Sequence, residues 1–513
     1  MFEVLAEDLL GRIGRLRVRN KQAETPLFLP VINPITQSIS AKWMKENLRA
    51  EAVITNAYII FKRLGEKALE EGVHRILDFD GIVMTDSGGY QVLEYGDIEV
   101  TPEEIALFEE GIRTDIAVPL DIPTGICGKE KAKETVEKTL KNIEITLNVL
   151  KERGVRKALW AAPIQGGTHL DLLQRCAEIE KEMGFDLYAL GSPTPLMEGY
   201  RFEKLFEMIY TVRKVTGLGR PLHLFGAGHP MIFPFIVALG VDMFDSASYY
   251  LYAKDERYIT STGTLRIDKI DYFPCNCPVC SNMAPDELKG IERKERIRLI
   301  AMHNLYACFR EINEIKQAIR DGRLMELLEI RARSHPRLYQ AFRWIMKNED
   351  LLKFMEDHTP LSSRRGINLF DGLSLKRPRI RRARKRLMEN YFKLPCHEKH
   401  LVLVPFNRKM SSEKLKKIIG KEVFEIAYYG SPYGLIPDPL RYTYPFSQTN
   451  HPRTLIKEES ENLVKLMVEQ LKAGDYEEIY IISSRSRHLK NLASDLLKAL
   501  CEIGIKSSLI DRD

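Results

Sequence analysis

Across the first half of the chain, apolar residues gather into short, near-continuous runs. They lie at 24–33 (ETPLFLPVIN), 52–58 (AVITNAY), 81–89 (GIVMTDSGG), 115–124 (DIAVPLDIPT), 158–167 (ALWAAPIQGG), 186–193 (DLYALGSP), 221–229 (PLHLFGAGH) and 241–248 (VDMFDSAS). Between most of them the apolar residues recur every three or four positions, which predicts amphipathic helices over 40–48, 103–113, 130–152, 169–184, 201–215 and 231–239. A strand that is apolar on both faces must be covered on both faces, so alternation with helices points to a parallel sheet. Eight such units in roughly 250 residues match the size of a (β/α)8 TIM barrel. An open doubly wound sheet is the alternative, but no glycine-rich dinucleotide fingerprint follows the first strand. Pro26 and Pro30 restrict the hydrogen bonding of the first run.

The residues at the C-terminal ends of these runs carry the candidate chemistry. The third ends in Asp86-Ser87-Gly88-Gly89-Tyr90-Gln91, the fourth in Asp121, the fifth in Gln165-Gly166-Gly167 and the sixth in Gly191-Ser192. The seventh ends in Gly226-Ala227-Gly228-His229 and the eighth in Asp245-Ser246. A barrel gathers all of these at one face, where the active sites of the fold lie. One carboxylate at the end of an apolar strand is more often ion-paired than catalytic. Three aspartates, a glutamine and several glycines at one rim are poor material for a core, and the glycines suit close approach of backbone to a flat ligand.

Composition narrows the class. The chain has 513 residues, 44% hydrophobic and 29% charged, with a net charge of +6. That is long enough for two to four domains and a large core. The mild positive charge permits a nucleic-acid partner without requiring one. No apolar run approaches a membrane span and the first residues lack a secretory pattern, so a cytoplasmic protein is expected. Of eight cysteines, Cys275, Cys277 and Cys280 fall within six residues, and His303 follows on a helical stretch. Three thiolates and an imidazole suit tetrahedral Zn²⁺, and four protein ligands leave no open position, so one structural zinc is expected. Residues 361–389 carry Arg364, Arg365, Lys376, Arg377, Arg379, Arg381, Arg382, Arg384, Lys385 and Arg386 against Asp371 and Glu389. This is either a solvated helix face or a contact for a nucleic-acid backbone. From residue 400 two apolar strand patterns and two helical ones predict a small α/β domain, with a Pro- and Tyr-rich loop over 429–448. The expected division is a zinc-containing barrel over 1–350, a basic helical linker over 351–398 and the α/β domain over 399–513.

Several of these motifs, in this order, resemble the tRNA-guanine transglycosylases: Asp86-Ser87-Gly88-Gly89-Tyr90-Gln91, Gln165-Gly166, FGAGHP at 225–230, Phe244-Asp245-Ser246 and the cysteine cluster with its downstream histidine. FGAGHP with a long C-terminal extension is similar to the archaeal branch. The resemblance is close over 1–350 and looser beyond. It implies a zinc-containing (β/α)8 barrel that replaces a guanine in the D-arm of tRNA, at position 15, with the free base 7-cyano-7-deazaguanine on the way to archaeosine. By matching motifs Asp245 takes the nucleophile position and Asp86 the general acid/base position, the division between the two being open. Asp121, Gln165, Gly191 and Ser192 take base-recognition positions and Tyr90 a stacking position. No redox or nucleotide cofactor is implied, and a homodimer is expected.

The chemistry of base exchange asks for the same groups. Retaining the ribose while bases swap requires a carboxylate that holds C1′ covalently, and a second acid/base group that protonates the departing base and deprotonates the incoming one. Archaeal members usually end in an RNA-binding PUA domain, which residues 400–513 are too short to add to an α/β domain, so either a separate PUA-containing chain supplies it as a partner or tRNA binding rests on the basic segment and a dimer partner. The last domain also faintly resembles archaeosine synthase. A non-catalytic tRNA-binding subunit and a synthase-like paralogue are the competing readings, and the presence of Asp86 and Asp245 argues against both. A zinc hydrolase on the same barrel would need a metal-bound water, which a closed ligand set does not offer.

Overall fold

The computed structural model describes residues 1–89, 100–395, 398–452, 457 and 459–511. They form two compact units, Met1–Lys347 and Asn348–Asp513.

In the first unit all eight apolar runs contain a strand of one parallel sheet: Leu27–Pro30, Ala52–Asn56, Ile82–Asp86, Ile116–Ala117, Leu159–Ile164, Leu187–Leu190, Leu222–Leu224 and Met243–Ser246. Six of the pairings join strands consecutive in this series, from the second to the eighth. The eighth strand pairs back on the first, with Asp245 opposite Leu29, and a bridge between Val31 and Ile54 joins the first to the second. The ring is therefore a TIM barrel, and the open-sheet alternative falls. The fourth strand is only two residues long because Pro119 and Pro123 cannot donate to a ladder. The predicted helices form close to their expected bounds, among them Pro102–Gly111, Lys129–Arg153, Leu170–Glu182 and Phe202–Thr216. Thr101 and Glu104 make a capping box at the first of these, satisfying two backbone N–H groups that have no intrahelical partner.

The sequence reading missed the antiparallel meander Phe2–Asp8, Gly11–Val18, Lys21–Glu24 that precedes the barrel. Its Leu16, Val18 and Ala23 pack with Leu29, Ile54, Met84, Ile116 and Leu187 in the barrel interior. Arg12 and Lys21 reach aspartates at the N-terminal ends of barrel strands, so the meander closes the floor. Charges and glycines break its alternation, as in GRIGRLRV, which is why no strand pattern shows. After the barrel come the hairpin Arg257–Thr260 and Gly263–Arg266, the short helix Pro278–Ser281 and the long helix Arg293–Asp321.

The second unit has a five-stranded sheet in the order Gly434–Pro437, Glu425–Gly430, His400–Pro405, Glu478–Ile482, Ser507–Ile510, parallel except at the first edge. The expected loop over 429–448 is corrected here: its first part is an antiparallel hairpin, with Tyr429 opposite Leu435. Tyr429 and Tyr433 are fully buried, their phenol groups hydrogen-bonded to the Ile482 carbonyl (2.9 Å) and the Thr449 hydroxyl (2.8 Å). Aromatic rings whose polar ends are satisfied belong to a core, so this stretch packs rather than presenting an exposed loop. The basic helix Pro378–Leu387 contributes Ile380, Ala383 and Leu387 to the same core.

Candidate functional site

Asp86 ends the third barrel strand, opposite Asn56 at the end of the second. Asn56 Nδ2 donates to Asp86 Oδ2 at 3.3 Å and the Gly88 N–H to Oδ1 at 3.4 Å. Burial pushes the Asp86 carboxyl up to about 6; the Gly88 N–H opposes this and the nearby charge of Asp245 adds to it. A Cβ at Gly89 would lie 2.2 Å from Asp121 Oδ1, so only glycine lets the chain pass here.

Asp121 is buried beyond the fourth strand and accepts a 2.5 Å hydrogen bond from Gln165 Nε2. Burial, then the charge of Asp86, pushes its carboxyl up to about 7. Gln165 Oε1 accepts from the Thr124 N–H (3.1 Å) and the Ser192 hydroxyl (2.9 Å), which fixes the orientation of the amide. Ser192 in turn accepts from the Gly125 N–H at 3.0 Å. Its backbone sits at φ 64°, an uncommon conformation for a non-glycine residue. A Cβ at Gly191 would lie 2.1 Å from Gln165 Nε2. Asp121, Gln165, Gly191 and Ser192 are thus one connected group, and Gln165 is committed to holding Asp121 as much as to any ligand.

Asp245 lies on the eighth strand and is 7% exposed. Its Oδ1 accepts from His223 Nε2 (2.9 Å) and from the Gly226 N–H (3.0 Å). Gly226 has φ 60°, and a Cβ there would meet Thr194 Oγ1 at 2.6 Å. Among the described residues, Asp86, Asp121 and Asp245 have no Lys or Arg partner. The sequence reading overlooked Asn56 and His223. The available signal was position: each is on the inner face of a barrel strand within a residue or two of its C-terminal end. Tyr90 lies outside the described residues.

The metal-ligand candidates come together. The ligand atoms of Cys275, Cys277, Cys280 and His303 all lie within 4.8 Å of one another. Cys277 Sγ is 3.6 Å from Cys280 Sγ, and His303 Nδ1 is 3.4 and 3.5 Å from the two sulfurs. A tetrahedral zinc with bonds of about 2.3 Å to sulfur and about 2.0 Å to nitrogen separates its ligands by about 3.5 to 3.8 Å, so the spacing fits a single ion. His303 Nε2 donates to the Ile259 carbonyl at 2.9 Å, which directs Nδ1 at the cluster. Tyr258 stacks on His303 with centroids 3.5 Å apart.

Four arginines of the basic stretch in the second unit are engaged internally. Arg379 donates to the Tyr444 hydroxyl (2.9 Å), Arg381 pairs with Glu349 (2.7 Å), Arg382 donates to the Thr359 carbonyl, and Arg384 donates to the Pro432 carbonyl (2.8 and 2.6 Å). Lys385 and Arg386 are exposed on the same helix. No helix among the described residues is long and apolar enough to cross a membrane.

Comparison with known proteins agrees with this geometry. Residues 8–337 match the family model described as TGT, queuine tRNA-ribosyltransferase. The chain is 40% identical over 486 residues to the tRNA-guanine(15) transglycosylase of Sulfolobus acidocaldarius, covering 94% of this chain and 95% of that protein. It is 42% identical over 460 residues to the Aeropyrum pernix protein of the same name, covering 88% of each. Against the Methanocaldococcus jannaschii protein of that name it is 41% identical over 458 residues, covering 88% of this chain and 68% of the relative. With the barrel, the three carboxylates at its mouth and the ligand cluster beside it, these matches establish that the chain belongs to the queuine tRNA-ribosyltransferase family.

Proposed function

We propose that this chain replaces a guanine at position 15 of tRNA with free 7-cyano-7-deazaguanine, through a covalent link between Asp245 and the ribose. The reading is supported above all by three carboxylates at one rim, Asp121 and Asp245 buried and Asp86 partly so, that have no Lys or Arg partner among the described residues and differ in what surrounds them. The relatives named tRNA-guanine(15) transglycosylase supply the substrate class.

Asp245 attacks C1′ of the target nucleotide while the glycosidic bond breaks, and the electron pair of that bond leaves with guanine. Asp86 gives its proton to the departing base; with its carboxyl near 6, it can exchange protons close to neutral pH. The incoming base then attacks C1′, Asp86 takes its proton, and Asp245 leaves as a carboxylate. Asp121 accepts the N–H donors on the guanine-like edge, and Gln165 holds it in place. The target guanine must leave its stack to reach this rim. Cys275, Cys277, Cys280 and His303 would hold a single zinc ion; with four protein ligands and no open position, its part would be structural, tying the segment after the hairpin to the long helix.

The test is trapping. The protein is incubated with unmodified tRNA, without deazaguanine, and resolved on a denaturing gel. An adduct with the native chain that is absent with Asp245→Ala is the expected result. An adduct that survives Asp245→Ala and is lost with Asp86→Ala would exchange the two roles. No adduct, together with no incorporation of labelled guanine, would favour the non-catalytic reading. Metal analysis should find about one zinc per chain, as a single four-ligand site requires.

A further inference from the structure

His223 is a residue of the barrel mouth to which no role has been assigned. It sits between Leu222 and Leu224 on the seventh strand, opposite Met243 of the eighth and Ala189 of the sixth. Its side chain is fully buried, and the ring meets Phe225 edge-to-face at 4.8 Å between centroids. Nε2 lies 2.9 Å from Asp245 Oδ1, while Nδ1 has no partner among the described residues. The Gly226 N–H reaches the same Oδ1, and nothing among the described residues donates to Oδ2.

We propose that His223 is a positioning residue that, with the Gly226 N–H, reserves Oδ1 of Asp245 for hydrogen bonding and leaves Oδ2 as the atom that attacks C1′. This rests on the reading of Asp245 as nucleophile. An ionised carboxylate only accepts, so the Nε2 of His223 carries the hydrogen. Protonating Nδ1 as well would bury a charged N–H with no acceptor, which costs more than a buried lone pair. His223 is therefore the neutral tautomer. It orients Asp245 without neutralising it, whereas a Lys or Arg in its place would bind the carboxylate as an ion pair and blunt its nucleophilicity. When Oδ2 bonds to C1′ as guanine departs with the proton of Asp86, Oδ1 becomes the ester carbonyl. When the incoming base displaces Asp245, the negative charge returns to the carboxylate, and both hydrogen bonds strengthen again. The two donors thus favour the departure of Asp245 as well as setting its angle of attack.

His223→Leu keeps the volume and removes the donor, and His223→Gln keeps a donor. The measurements are kcat, KM for the free base, the yield of trapped adduct and the thermal midpoint. Losing a hydrogen bond to a charged group predicts a kcat lowered about ten- to a hundredfold in His223→Leu. KM should stay within about twofold and the adduct should form more slowly. His223→Gln should recover most of kcat. Native kcat in His223→Leu, or equal losses in the two variants, would overturn the inference. If the leucine variant does not fold, as the thermal scan would reveal, His223→Met takes its place with the same expected outcomes. Asp245→Ala in the same series separates the two claims. An adduct that persists there defeats the nucleophile assignment itself. Its loss, beside a His223→Leu variant that traps and turns over like the native chain, defeats only the role given to His223.

Discussion

Asp242 and Asp245 lie three residues apart in the same apolar run, at opposite ends of one barrel strand. At the floor, Asp242 is held by Arg12 (3.0 and 2.5 Å), by Arg213 (2.6 Å) and by the Leu222 N–H (2.9 Å). The neighbouring floor carboxylate, Asp115, is met by Lys21 (2.8 Å), His74 (3.1 Å) and the Val83 N–H (2.9 Å). Burial alone would raise its carboxyl, but the hydrogen bonds from His74, Lys21 and Val83 outweigh that and hold it below the usual carboxylate range. At the mouth the order reverses. Among the described residues Asp245 meets a histidine and a backbone N–H and no Lys or Arg, and Asp86 and Asp121 are pushed upward by burial and by neighbouring carboxylates. A buried acid surrounded by cations serves the fold. Acids left to repel one another weaken the fold, and the proposed reaction gives a reason for their presence.

This contrast can be broken by mutation. The largest effect is expected from Asp245→Ala, which should reduce turnover at least about a thousandfold, as removal of a covalent nucleophile does, while the thermal midpoint barely moves. Loss of the fold in that variant would place Asp245 with the floor residues. Asp86→Asn should lower turnover by about 10²- to 10⁴-fold, the range for a general acid/base, again without loss of stability. Asp242→Asn should do the opposite. It leaves Arg12 and Arg213 buried without their carboxylate and should cost about 3–5 kcal/mol in a denaturant titration. Turnover per folded molecule should stay near native.

The pH dependence sharpens the same comparison. The Asp86 and Asp121 carboxyls have raised values in the folded state, so their contribution to stability is full below about pH 4, as for an unfolded carboxylate, and is lost as pH rises through about 6 to 7. The Asp115 carboxyl is depressed, so its contribution is present above about pH 4 and is lost as pH falls through its lowered folded value. Thermal scans between pH 5 and 8 should therefore show a flatter profile for an Asp86→Asn/Asp121→Asn variant than for the native chain. An unchanged slope would mean that these two carboxyls are not strained. The smallest effect concerns the second unit. Replacing exposed Lys385 and Arg386 by alanine should weaken tRNA binding severalfold and reduce its salt slope by about one for each phosphate that is no longer neutralised. Alanine at the internally bonded Arg381 or Arg384 should lower stability instead.

Much of the barrel was legible because its signal is local. Eight runs apolar on both faces, separated by amphipathic helices, leave few folds that cover both faces, and the cysteine spacing marks a metal cluster without reference to anything distant. The unread parts depend on partners far along the chain. The floor meander hides its strand pattern behind Arg12 and Lys21, whose charges make sense only against Asp242 and Asp115. The basic helix shows ten cationic side chains in its neighbourhood as sequence, but not that Tyr444, Glu349 and Pro432 occupy several of them. The hairpin through Tyr429 and Tyr433 resembles a loop in sequence because glycines and prolines punctuate it, and only burial of the two rings makes it core.

By itself, then, the pattern of residues determined the barrel, the rim on which Asp86, Asp121 and Asp245 are gathered, and the four residues of the metal cluster. Which of two aspartates on one strand is structural could not be read from that strand, since both stand beside apolar neighbours. The tertiary structure decided it by bringing Arg12 from 230 residues away to the floor and a histidine to the mouth. Charge and burial act through space, so the same side chain is an ion-paired fold element at one end of the strand and, at the other, a carboxylate without a Lys or Arg partner among the described residues, available for the proposed attack.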